Sequence, residues 1–209
     1  FAAGDKLIND HLSTIRKIAK LSFTNDHGIR IGRCVPILKP KDTYIWLLEV
    51  FPALLGGVIL ALTYKRFRLT PLLYILILIH CVILMVGGHY TYAEVPLFDY
   101  LREPLGFNRN NYDKLGHFAQ GFVPAMIARE IIIRRDVIRG AAWQNFFIIC
   151  CSLAISAFYE LIEWWAALLS EEAAEAFLGT QGYVWDTQSD MFLALTGATL
   201  ALVFLSALL

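Results

Sequence analysis

The sequence predicts an all-α protein: a multi-pass transmembrane helical bundle of about five spans, preceded by an amphipathic helix. Three observations carry this. Hydrophobic residues make up 57% of the 209-residue chain and charged residues only 17%, where soluble domains carry roughly 25%. The apolar residues are gathered into runs of the length a spanning helix needs, about 20 residues. The few ionisable residues inside those runs recur at spacings of three or four, which puts them on shared helix faces. Formal net charge is zero, so nothing points to nucleic acid; membrane lipids are the expected surroundings.

The elements follow in order. Residues 1–43 form a segment of their own. Leu7, Ile8, Leu12, Ile15, Ile18, Ala19 and Leu21 recur at helical spacing, with Lys6, Arg16, Lys17 and Lys20 interleaved. That pattern reads as a basic amphipathic helix, lying on a membrane surface or docked on a partner. A loop with Gly28, Gly32, Pro36 and Pro40 follows. The transmembrane domain takes residues 44–209, with spans at about 44–64, 69–88, 115–133, 144–169 and 190–209. Cys34, Cys81, Cys150 and Cys151 show no paired spacing, and three lie in apolar runs as small hydrophobes. Neither a disulfide framework nor a zinc ribbon follows.

Orientation comes from Lys and Arg in the short connections. Lys65, Arg66 and Arg68 follow the first span, and Arg134, Arg135 and Arg139 follow the third. The connection after the fourth carries Glu171, Glu172, Glu175 and Asp186 with no Lys or Arg. The two basic connections are therefore expected in the cytoplasm and the acidic one outside. The N-terminus would then lie outside too, against its Arg30, Arg33, Lys39 and Lys41. Either that segment faces outward or a further span precedes it.

Charge inside a bilayer is costly and usually marks function or a necessary pairing. Asp113 and His117 open the third span, Glu160 and Glu163 share a face of the fourth, and Asp186 and Asp190 open the fifth. His89 closes the second. Up-and-down connectivity brings all of these to one end of the bundle. Glu163 precedes Leu169 by six residues, about 9 Å of helix, and Glu160 is about 14 Å deep. Imidazole and carboxylate groups suit a borderline or hard divalent ion, Zn²⁺, Mn²⁺ or Fe²⁺, and bundle metal sites use such helical pairs. His89, Asp113, His117 and Asp190 are the candidate ligands; Glu160, Glu163 and Asp186 are the candidate acids and bases. A proton or substrate pathway is the second reading. A network that knits helix ends together, with Arg102, Arg109 and Lys114 as counterions, is the third.

Arg129 lies near the opposite end, where it is expected to snorkel or to pair with Glu130. Trp164, Trp165 and Trp185 read as an aromatic belt. His11, His27 and His80 are isolated. Glu49, early in the first span, is read as reaching the nearer interface.

The same residues carry a resemblance. The strings Gly87-Gly-His-Tyr-Thr-Tyr-Ala-Glu-Val-Pro-Leu, Asn111-Tyr-Asp-Lys-Leu-Gly-His-Phe-Ala-Gln-Gly-Phe, Tyr159-Glu-Leu-Ile-Glu-Trp and Gly179-Thr-Gln-Gly-Tyr-Val-Trp-Asp-Thr-Gln-Ser-Asp-Met occur in this order. They resemble the YjdF-like family of bacterial inner-membrane proteins from about Thr43 to the C-terminus. More distantly, Asp113-Lys-x-x-His117 with the glutamates and aspartates of the last two spans resembles VanZ-like membrane proteins. The resemblance implies a multi-pass protein of the bacterial inner membrane and names no reaction. Three functions are therefore expected to compete. One is metal-dependent chemistry on a lipid-type substrate at the outer face. The others are a non-catalytic subunit or scaffold that binds other membrane-protein subunits, and a proton-coupled transporter.

Overall fold

The computed structural model describes Pro40, residues 43–169 and residues 183–206. The predicted amphipathic helix and loop at the N-terminus, the acidic connection before residue 183 and the last three residues lie outside that range. The rest is helical: α1 (Thr43–Thr63), α2 (Pro71–Tyr90), a 3-10 turn (Tyr92–Glu94), α3 (Pro96–Arg102), α4 (Tyr112–Arg134), α5 (Ala141–Leu169) and α6 (Asp186–Leu205). The all-α prediction and its five long helices are borne out. Four of them, α1, α2, α5 and α6, are long and apolar enough to cross a membrane. The fifth, α4, is 23 residues long and carries Asp113, Lys114, Arg129, Glu130 and Arg134, which lower its hydropathy. It lies among α2, α5 and α6, and of its charged residues Asp113 and Glu130 are buried.

Helices in lipid gain little from burying apolar surface against one another, so close backbone approach has to supply the contact. The tightest pair here is α4 with α6. A Cβ on Gly121 would overlap the Ala194 carbonyl, and a Cβ on Gly197 would overlap that of Phe118. Around these glycines Ala125, Ala194, Ala198 and Ala201 are fully buried. Leu73 of α2 and Ile148 of α5 complete one apolar core with Met126 and Leu202.

The end of the bundle carrying the two basic connections is tied by Glu130, which is 2% exposed. Its carboxylate accepts from the Thr70 backbone N–H at 3.0 Å and from the Thr70 hydroxyl at 2.8 Å, and it pairs with Arg134. Arg134 and Arg135 both stand over the Phe67 ring. Arg129 takes a different partner from the one expected: its guanidinium donates to the Ser206 carbonyl at the end of α6, 2.8 Å away. Glu130 is already engaged by Thr70 and Arg134.

At the other end the connection from α2 to α4 is held by Asn110, which is buried. Its amide donates to the Val95 carbonyl at 3.0 Å and to Asp99 at 3.1 Å, while its oxygen accepts the Tyr112 N–H at 3.0 Å. That last bond satisfies a donor in the first turn of α4, and α4 starts at Tyr112 rather than near Leu115. α6 likewise starts at Asp186, four residues before the predicted boundary.

Gly121→Ala and Gly197→Ala should each destabilise the bundle by about 1–3 kcal/mol, the usual cost of overpacking. Thermal unfolding in detergent should show both below wild type. Gly57→Ala, whose Cβ meets nothing within 4 Å, should unfold no earlier than wild type.

Candidate functional site

Asp113 and His117 stand one turn apart on α4, and the glycine contact lower on that helix draws α6 against the same face. Asp190 of α6 therefore meets them. His117 Nε2 is 3.2 Å from Asp113 Oδ1 and 3.9 Å from Asp190 Oδ2. The ligand atoms of these three buried residues lie within 4.8 Å of one another. Ligands on a tetrahedral zinc ion at about 2.0–2.2 Å stand roughly 3.3–3.6 Å apart, so the group needs only small adjustments to enclose one. Asp113 Oδ2 and Asp190 Oδ1 are buried without a protein partner. Buried carboxylate oxygens normally have one, and a cation would supply it.

On the far side of the ring, His117 Nδ1 is 3.2 Å from Gln120 Oε1 and 3.7 Å from Glu160 Oε1. An N–H at Nδ1 can thus donate to an amide oxygen or a carboxylate while Nε2 offers its lone pair toward the aspartates. Metal-bound histidines characteristically hold their second nitrogen this way. Glu160 also accepts from the Thr187 hydroxyl of α6. Asp186 sits at the rim and pairs with Arg109.

Of the residues singled out from the sequence, Asp113, His117, Asp190 and Glu160 come together directly. Glu163 and Asp186 line the same cavity. His89 does not join them: its ring stands edge-on to Tyr90, centroids 4.6 Å apart, outside the ligating group.

Four further residues belong to the site. Glu49 is 3% exposed and lines the cavity, with Oε2 buried and without a protein partner. It does not reach the interface, as its position early in a span suggested. The backbone N–H of Tyr92 donates to it. Gln120, Tyr92 and Tyr159 line the cavity with it, and the Tyr159 ring stands at a steep angle to His117, centroids 6.2 Å apart. Tyr92 is delivered by Thr91, whose φ of +60° is a conformation favouring glycine. The ring is wedged against Gly87 of α2 and Gly116 of α4, where an added Cβ would come within 2.5 Å and 3.0 Å of it. Burial pushes its phenol well above the ordinary tyrosine range, so it stays a neutral hydroxyl. Strain of this kind persists where the surroundings fix it, often at working sites.

The cavity measures about 510 Å³, within the roughly 300–1,000 Å³ of small-molecule sites. It continues away from the acids past His80 and Cys81 into an apolar stretch along α1, α4 and α5 that includes Ile59, Ile127 and Ile155. A smaller cavity of about 350 Å³ shares Glu163 and Asp186 as a wall and adds Trp164, Tyr183 and Thr187.

A family model described as a predicted membrane protein (DUF2238) matches residues 30–209. The chain is 56% identical over 169 residues to the inner membrane protein YjdF of Escherichia coli (strain K12), covering 81% of each protein. No solved structure matches. The resemblance read from the charged strings is thereby borne out, and with it an integral protein of the inner membrane.

Relieving the backbone at Thr91 while keeping Tyr92 in place separates strain from function. Thr91→Gly should raise stability by about 1 kcal/mol or leave it unchanged, whereas Gly87→Val should lower it by overlap with the Tyr92 ring. Denaturation midpoints of the two variants check this.

Proposed function

The chain belongs to the DUF2238 family of predicted membrane proteins, and within that family we propose a membrane-embedded enzyme that uses a divalent metal ion on a lipid-type substrate at the outer membrane face. The observation that carries the reading is the buried Asp113–His117–Asp190 group. Its three ligand atoms converge, and it leaves two carboxylate oxygens without protein partners beside a cavity that turns apolar.

Asp113, His117 and Asp190 would hold the ion, with Gln120 and Glu160 orienting the imidazole through Nδ1. When bound, the ion supplies Lewis-acid polarisation of a substrate oxygen and a lowered pKa for a bound water. Glu163, at the wall between the two cavities, would take or return the proton as general base or acid. Glu160 would hold the His117 N–H and serve as the second proton acceptor. Asp186, fixed by Arg109, would position the rim where a polar head group enters. The bundle around them excludes water from the apolar arm.

The apolar arm favours this reading over a proton-coupled carrier. A carrier needs polar groups across the bilayer, and beyond Gln120 the lining carries His80 and Cys81 amid aliphatic side chains. A purely structural network is less well served by the unpartnered carboxylate oxygens, because such a network works by satisfying every member.

Metal analysis of protein purified in mild detergent should find about one equivalent of zinc, manganese or iron, as a single three-ligand site with an open position predicts. His117→Ala and Asp190→Asn should each lower the content at least about tenfold, the scale expected for a lost ligand. Chelation should lower the unfolding temperature of wild type and not of His117→Ala. Metal-free protein, with ligand variants indistinguishable from wild type, would sink the metal reading.

A further inference from the structure

The cavity has two features beyond the metal-ligating group. The first is its apolar arm. Along α4 the lining runs from Asp113 to Ile131, about 27 Å of helix, close to the roughly 30 Å of a bilayer's hydrocarbon. α1 forms one wall and packs chiefly on α2. It meets α5 through Ile45 and Leu48 against Ala166, next to the acids. Farther along, the lining residues Leu55 and Ile59 are 46% and 50% exposed, so the groove opens sideways toward lipid.

The second feature is the group at the polar end that the ion would not use. Glu49 and Glu163 line the cavity together with Tyr92 and Tyr159. Asp186 is paired with Arg109, whereas Glu49 Oε2, Asp113 Oδ2, Glu160 Oε1 and Asp190 Oδ1 are buried without a protein hydrogen bond. Of these, Glu49 stands outside the ligating group, in a setting where uncompensated charge is expensive, and Glu163 lies on the same cavity lining. Carboxylates and tyrosine rings on one lining suit an ammonium group, and the carboxylates repel an anionic head.

We propose that the groove binds an amine-headed lipid, one hydrocarbon chain lying along α4 between α1 and α5 and its ammonium group lodged between Glu49 and Glu163 against Tyr92 and Tyr159. This rests on reading the cavity as a lipid site and names the class of lipid. Depth agrees with it. Glu49 lies six residues into α1 and Glu163 six residues from the end of α5, so both sit about 9 Å below the helix ends. An ammonium at that level leaves the chain fully within hydrocarbon.

The test compares three ligands that share one chain and differ in head charge: tetradecylamine, tetradecanol and tetradecanoate. Each is titrated into the full chain in a neutral detergent and followed by native mass spectrometry, once after chelation and once with Zn²⁺ added. The amine should bind at least about tenfold more tightly than the acid under both conditions, as one well-placed charge pair predicts. Glu49→Gln should shrink that preference to roughly threefold or less while tetradecanol still binds. Gly56 lines the groove and a Cβ there meets nothing within 4 Å, whereas Gly57, equally open, does not line it. Gly56→Trp should therefore abolish binding of all three ligands, and Gly57→Trp should leave it intact. Tetradecanoate binding as tightly as the amine, or Gly56→Trp binding like wild type, would overturn the proposal. The amine preference persisting in protein that takes up no metal would remove the metal reading and leave this one standing; stoichiometric metal without any preference would do the reverse.

Discussion

The backbone contact between α4 and α6 is the constraint on which the rest of this structure depends. Water is absent from the bilayer core, so helices there associate through close packing and a few polar bonds. Gly121 and Gly197 let the two backbones touch. The consequence is felt above the contact, since Asp113 and His117 continue the Gly121 face of α4 at intervals of four residues. Asp190 likewise continues the Ala194 face of α6. With the helices held apart by even one methyl, Asp190 could not stand 3.9 Å from His117. Packing chemistry with no functional content of its own thus sets the spacing of the chemically able groups.

The two ends of the bundle treat buried charge in opposite ways. At the basic end Glu130 is surrounded by donors from Thr70 and Arg134; its burial is compensated, and its effect is to clamp α2 to α4. At the acidic end, among the described residues, oxygens of Glu49, Asp113, Glu160 and Asp190 stay without protein hydrogen-bond partners. Removing a charge from water is repaid only when its partners are complete. The basic end satisfies that condition from within the chain. The acidic end does not satisfy it from the described residues, and this asymmetry, more than the number of acids, is what favours reading it as a site rather than a strut.

The hydrophobic runs made the long helices legible, and the three- and four-residue spacings made most of the acidic end legible as well. What escaped has physical reasons. The polar starts of α4 and α6 blur their boundaries. Spacing places Asp113 and Asp186 on helix faces, yet residues 112–114 and 186–189 fall outside the apolar runs. Asn110, accepting the first N–H of α4, shows where that helix begins. The rotation of a helix is not encoded in depth, so His89 reaches the right level yet packs on Tyr90. Glu49 shares the depth of Glu163, and that equality was present in the sequence; only the packing of α1 decides that both face one cavity. Tyr92 is open, from the sequence, to either an interface or a lining reading, and the turn at Thr91 decides for the lining. Gln120 and Tyr159 need neighbours from other helices, which spacing along one helix cannot supply.

The placement of Glu49 carries one more consequence. α4, α5 and α6 pack against one another, and they alone supply the ligating group with Glu160 and Glu163. α1 is held chiefly by α2 and by the small contact at Ile45 and Ala166, yet it contributes both a wall of the apolar groove and the most fully buried glutamate of the site. A chain entering sideways must pass the edge of this least-tied helix. Its displacement would carry Glu49 and the Tyr92 bond with it, while the metal-ligating group stayed fixed on its rigid partners. Access from the bilayer and completion of the polar end would therefore be linked through one helix, and Gly56 gives that helix little side-chain bulk where the lipid would have to pass.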